Sequence, residues 1–115
     1  MENKFRAVIS VRIFSDEKCF GPGIAELLAR VRERHSLRAA AQSMGMAYSK
    51  AWTILKSSEE RLGFPLLSCT TGGRHGGGAV LTQKAEALLY AYGDYCAALR
   101  ECSDNLFREK FKDFL

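Results

Sequence analysis

Apolar positions recur along this chain with two different periods, and each predicts a different element. Residues 4–14 alternate, with Phe5, Ala7, Ile9, Val11 and Ile13 apolar and Arg6, Val8, Ser10 and Arg12 between them. Period two predicts a strand with one face on the core, and a lone strand needs partners elsewhere in the chain. After a turn-rich connection, Ser15 to Gly23, the period changes. Ile24, Leu27, Leu28 and Val31 share one helical face, with Glu26, Arg30, Arg32 and Arg34 off it. The helix is expected to run from Pro22, suited to a first helical position, to about His35. Its arginines read as a solvated face.

Ser36 to Leu62 predicts two helices joined by a tight turn. Ser36 suits an N-cap, and Leu37, Ala40, Ala41 and Met44 make the inner face of a short helix. The run Ala39–Ala41 allows close crossing by another helix while keeping helix propensity high. Gly45 is expected to end it at positive φ, with Met46 plugging the turn. The next helix, from Tyr48 to Leu62, buries Ala51, Leu55, Ser58 and Leu62. Its other side carries Tyr48, Ser49, Lys50, Thr53 and Lys56, the donors, acceptors and cations a helix in a major groove needs. An ordinary amphipathic helix would look similar. Trp52 could pack at the edge of the buried stripe or lie against a sugar, and packing is the commoner role.

Gly63 and Pro65 close that helix. Leu66–Cys69 and Ala79–Leu81 read as strands flanking a glycine-rich loop, residues 70–78, so a hairpin is predicted, completing a small sheet with the N-terminal strand. Thr82 caps a last helix reaching Asn105 or beyond. Its apolar positions Ala85, Leu88, Tyr92, Tyr95, Leu99, Cys102 and Leu106 alternate three and four apart. This seam is too long for so small a domain to cover, which favours a partner subunit along Leu88, Tyr92, Tyr95, Leu99, Cys102 and Leu106 over docking on its own domain. Phe107, Phe111 and Phe114 continue an apolar stripe into the tail. Residues 1–115 are expected to form one domain, with 82–115 as dimerisation helix and tail.

Composition narrows the function classes. The 115 residues are 47% hydrophobic and 26% charged, with net charge +4. That describes a globular protein for which an anionic partner is plausible. The opening MENKFRAVIS lacks the apolar stretch of a secretion signal, and no apolar run reaches membrane-spanning length, so a cytoplasmic protein with reduced thiols and no membrane partner is expected. The spacing of Cys19, Cys69, Cys96 and Cys102 does not suit zinc, and Cys96 and Cys102 read as packing thiols. No metal or cofactor is expected. His35 and His75 have no identifiable nucleophile partner, Glu59 and Glu60 read as an exposed helix end, and catalysis is not expected.

The glycine-rich loop lacks the Gly-Lys-Ser/Thr ending of a phosphate-binding loop and the spacing of a dinucleotide fold. A wing suits it better, with Arg74 and His75 at the tip and Gly76 among the glycines that admit a phosphate chain closely. A functionless loop is the plainer reading. With AAAQSMGMAYSKAW at residues 39–52 and TTGGRHGGGAVLT at residues 70–82, the chain resembles the N-terminal DNA-binding domain of LysR-type regulators and, more closely, of the molybdate-responsive ModE regulators. The resemblance covers about residues 4–106. It implies a mostly α, α+β winged helix-turn-helix, in which the N-terminal strand pairs with the wing hairpin and a long C-terminal helix forms much of a homodimer. By position, Ser36, Tyr48, Ser49, Lys50, Thr53 and Lys56 would contact DNA, with Arg74, His75 and Gly76 in the wing. Ala47 departs from the Ser or Thr that usually caps the recognition helix there, an expected loss of about 1 kcal/mol. Full-length family members carry C-terminal oxyanion-binding modules. The expected function is therefore a homodimeric transcription regulator on double-stranded DNA without its own molybdate-binding modules, leaving room for a separate effector-binding protein. The alternative is a protein-interaction or small-molecule-sensing module that keeps the fold without operator binding.

Overall fold

The computed structural model describes residues 4–69 and 78–115. In chain order the elements are β1 (Ile13–Phe14), β2 (Lys18–Phe20), α1 (Pro22–Arg34), α2 (Leu37–Ser43), α3 (Tyr48–Leu62), β3 (Leu67–Cys69), β4 (Ala79–Leu81) and α4 (Gln83–Lys110), followed by a short 3-10 turn at Lys112–Phe114. This is the expected mostly α architecture of a winged helix-turn-helix with a long last helix.

Local chemistry accounts for the boundaries. Pro22 opens α1, and His35 closes it at φ 61°, its N–H bonded to the Val31 carbonyl. The Ser36 hydroxyl accepts from the Ala39 N–H at 3.1 Å, which caps α2. Gly45 takes φ 67° and turns the chain so that the Met46 N–H reaches the Ala41 carbonyl at 2.9 Å. Gly63 ends α3 at φ 87°, and the Thr82 hydroxyl caps α4 through the Ala85 N–H.

The core lies where α1, α2, α3 and the start of α4 meet. Phe20, Leu27, Leu28, Val31, Leu55 and Leu66 are buried at its centre. Ala40, Ala41 and Ala51 have no exposed surface, which is why α2 and α3 can cross closely. Ser58 occupies a buried position because it has a partner there: its hydroxyl donates to the Cys19 carbonyl of β2. Arg30 does not simply face solvent. It pairs with Glu26 and donates to the Ser43 carbonyl at 3.0 Å, tying α1 to the end of α2. Arg32 reaches Glu86 of α4 at 2.8 Å.

One expectation fails: the N-terminal strand does not pair with the hairpin. Among the described residues, β1 pairs only with β2, and β3 only with β4. The turn from Ser15 to Glu17 lets the chain fold back on its immediate neighbour, and such a short loop closes at lower entropic cost than a distant pairing. Residues 5–9 instead line grooves with the far half of α4, and Phe5, Val8 and Ile9 stay exposed. The alternation of residues 4–14 thus describes an extended segment beside a helix, with a strand at its end. Leu66 also precedes β3 rather than starting it.

Candidate nucleic-acid interface

The α2–turn–α3 unit presents one face outward. On a helix of 3.6 residues per turn, Ser49, Thr53 and Lys56 lie opposite the buried row Ala51, Leu55 and Ser58. Lys50 lies on one flank of that face, and Tyr48 and Trp52 on the other. All six of these outward residues are exposed. Glu60 occupies the same side further along, so the cationic part of the face is the N-terminal half of α3, where helices that enter a groove make their base contacts.

The side chains are not all free. The Thr53 hydroxyl donates back to the Ser49 carbonyl at 3.0 Å. Lys56 pairs with Glu59 at 3.2 Å, and its ammonium lies 4.4 Å from the centre of the Trp52 ring. Ser36 is half-buried, and its hydroxyl oxygen caps α2. Ala47 offers no side-chain bond at the start of α3. Arg74, His75 and Gly76 lie outside the described residues.

Three residues carry more than the sequence reading allowed. Arg38 holds its guanidinium 4.2 Å from the Tyr48 ring centre, adding a cation beside the first turn of α3. Its place opposite the inner face of α2, with Gln42 one turn on, was the available signal. Trp52 is 42% exposed rather than packed at the edge of the stripe. Glu59 is not an exposed helix end. Its side chain is 13% exposed, and one carboxylate oxygen accepts from the Leu66 N–H at 2.6 Å while the other holds Lys56. A carboxylate on backbone N–H groups is a strong bond, and it fastens α3 to the approach to β3.

The base of the hairpin is anchored from other sides as well. The Ala79 N–H donates to the His35 carbonyl at 2.9 Å, and the Thr82 hydroxyl to the Pro65 carbonyl at 2.9 Å. β3 and β4 pair at Leu67–Leu81, Ser68–Val80 and Cys69–Ala79; β4 packs against α1, and the Leu67 N–H donates to Glu59 of α3.

The seam predicted on α4 divides in two. Leu88 packs against the core, and Tyr92 is buried in its own chain. The Tyr92 ring meets Phe20 edge-on at 5.1 Å between centroids, and its hydroxyl donates to the Val11 carbonyl at 2.8 Å. Tyr92 therefore does not belong to the uncovered part of the seam. Tyr95 and Leu106 are 56% and 48% exposed, Cys102 is exposed rather than packed, and Leu99 is half-buried. Ala7, Ile9, Leu99, Cys102, Leu106 and Phe111 help line a groove of about 330 Å³ on this half. Among the described residues, no helix is long and apolar enough to cross a membrane.

Comparison with known proteins agrees with this geometry. The chain is 40% identical over 67 residues to the molybdenum-pterin-binding protein MopB of Rhodobacter capsulatus, covering 58% of this chain and 25% of that protein. It is 37% identical over 71 residues to the transcriptional regulator ModE of Haemophilus influenzae, covering 62% of this chain and 28% of that protein. It is 30% identical over 88 residues to the DNA-binding transcriptional dual regulator ModE of Escherichia coli K12, covering 76% of this chain and 34% of that protein. The chain thus spans about a quarter to a third of the length of the curated relatives it matches. Residues 25–86, just over half of the chain and the stretch from α1 to the first turn of α4, match the bacterial regulatory helix-turn-helix proteins of the lysR family. The chain belongs to that family of DNA-binding regulators.

Proposed function

We propose that this chain acts as a homodimeric, sequence-specific DNA-binding transcription regulator. The observation that carries the reading is the outward face of α3, with Ser49, Lys50, Trp52 and Lys56 exposed and Arg38 beside it, set next to an anchored hairpin. Cations on this face would be drawn to phosphates and set the register, while the first turns of α3 read base edges. Residues 1–115 are read as one domain, with 82–115 as dimerisation helix and tail. The exposed half of α4 and the segment at residues 5–9 would meet a second copy. Support for this dimer comes from apolar positions that continue beyond their own core. A two-fold dimer would place two reading helices about one duplex turn apart on a pseudo-palindromic site. The link to molybdenum rests on the names of the relatives.

Selection of bound fragments from genomic DNA with the purified protein tests this reading. The expected result is a reproducible two-fold motif whose binding weakens steeply with salt and with Lys50→Ala. No enrichment, or binding insensitive to both, would leave a protein-interaction module as the better account. Calorimetry with molybdate and with tungstate tests sensing separately, since a motif without oxyanion binding would assign sensing to another protein.

A further inference from the structure

We propose that Trp52 is a direct DNA contact, placing its indole ring on an apolar nucleotide surface, either a thymine methyl group or a deoxyribose. The inference rests on the DNA-binding reading above and names a residue that the polar pattern of α3 had pointed away from. Trp52 is the chain's only tryptophan. It lies in the second turn of α3, 42% exposed, one turn after Tyr48 and one turn before Lys56.

Several polar neighbours are already occupied. Thr53 is bonded to the Ser49 carbonyl, and Lys56 is held by Glu59. The largest apolar surface on this face is therefore the indole ring. The Lys56 ammonium lies over its face, 4.4 Å from the ring centre. The Lys56 end of this ion pair is half exposed, so a phosphate can compete with Glu59 for the lysine. As Lys56 turns to the backbone, the ring is uncovered beside the groove. Thymine methyl groups line the major groove and are read by apolar side chains, while deoxyribose offers a similar surface without base identity.

The sole tryptophan makes the test direct. The probe is a duplex recovered from the genomic selection, titrated against the full chain while tryptophan emission and DNA anisotropy are followed together. The expected result is an emission change that saturates with binding. Trp52→Ala and Trp52→Gln should each weaken binding about tenfold, the scale of losing one aromatic ring's apolar contact, while Trp52→Phe retains most of it. Circular dichroism should show unchanged helix content in all three. Replacing thymine by uracil at each site position separates the two surfaces. A position where uracil weakens the wild type but not Trp52→Ala identifies a methyl contact. A uniform loss for Trp52→Ala with no uracil effect identifies a sugar contact. If the wild type binds the duplex with unchanged emission, and Trp52→Ala binds equally tightly with the same preferred motif, the proposal is overturned and DNA binding stands. If the wild type binds no duplex at all, both readings fall.

Discussion

The two halves of α4 follow one apolar spacing but meet different surroundings. In the first half, Ala85 and Tyr92 are buried and Leu88 packs against the core, with Phe20 beneath the tyrosine ring and Val11 receiving its hydroxyl. In the second half, Tyr95 stands exposed, and Cys102 and Leu106 stand exposed beside Ala7 and Ile9. The helix is 28 residues long, roughly 42 Å at 1.5 Å per residue, and extends well past the core it belongs to. A heptad-like repeat alone does not say which copy of the protein its residues contact. The first half packs into the fold, while the second leaves apolar surface uncovered.

Four substitutions would break or sharpen this contrast. The largest effect is expected from Phe20→Ala, which removes the fully buried ring under the first half. It should cost about 3–5 kcal/mol in urea unfolding at a fixed protein concentration. A cost under about 1 kcal/mol would mean that α4 is not held to its own core through Tyr92. Leu106→Asp acts on the other half. It should leave helix content intact but shift sedimentation towards the monomer and weaken operator binding about tenfold or more, on the scale of 1.4 kcal/mol per decade. A wild type that sediments as a monomer throughout would remove the proposed interface.

Tyr92→Phe should cost about 1 kcal/mol at neutral pH through the lost bond to Val11. Burial pushes the Tyr92 phenol above its ordinary value of 10.0, with the neighbouring Cys96 adding to the rise and Arg12 opposing it. A raised value means the folded state holds the proton more tightly. That stabilisation is present below about pH 10 and is lost as pH rises through the raised value. Unfolding measured across this window should show an alkaline decline that Tyr92→Phe makes shallower, and identical declines would exclude Tyr92 as its source. The smallest effect is expected from Gly93→Ala, at the junction of the halves. A Cβ there meets nothing within 4 Å, so alanine should stabilise the helix by up to about 1 kcal/mol. If it instead weakens self-association, the space beside Gly93 is occupied by the second copy.

Much of this arrangement was legible in the sequence because it is fixed by local chemistry. Pro22, Ser36, Gly45, Gly63 and Thr82 mark helix ends through backbone and hydroxyl preferences that act over a few residues. The buried positions Ala51, Leu55 and Ser58 followed from the helical period. What escaped depends on distant partners. The alternation of residues 4–14 could not reveal that β2 would supply the neighbouring strand. Nor could the seam on α4 reveal that Phe20 would cover Tyr92. At the candidate site, the period identified the outward face but not its internal bonds. Trp52 was misjudged because tryptophan is usually packed, and Glu59 because the N–H groups that donate to it lie beyond the helix end.

Glu59 has a consequence for how the recognition surface could be used. One carboxylate joins Lys56 of the reading helix to the backbone at Leu66 and Leu67, while Ala79 and Thr82 hold the other side of the hairpin base. Helix and hairpin base are thereby preorganised as one jaw. Their relative angle need not be ordered at the expense of affinity when a duplex arrives. Such a jaw favours partners whose groove and backbone already match its opening, so discrimination by duplex shape would begin before any base edge is touched.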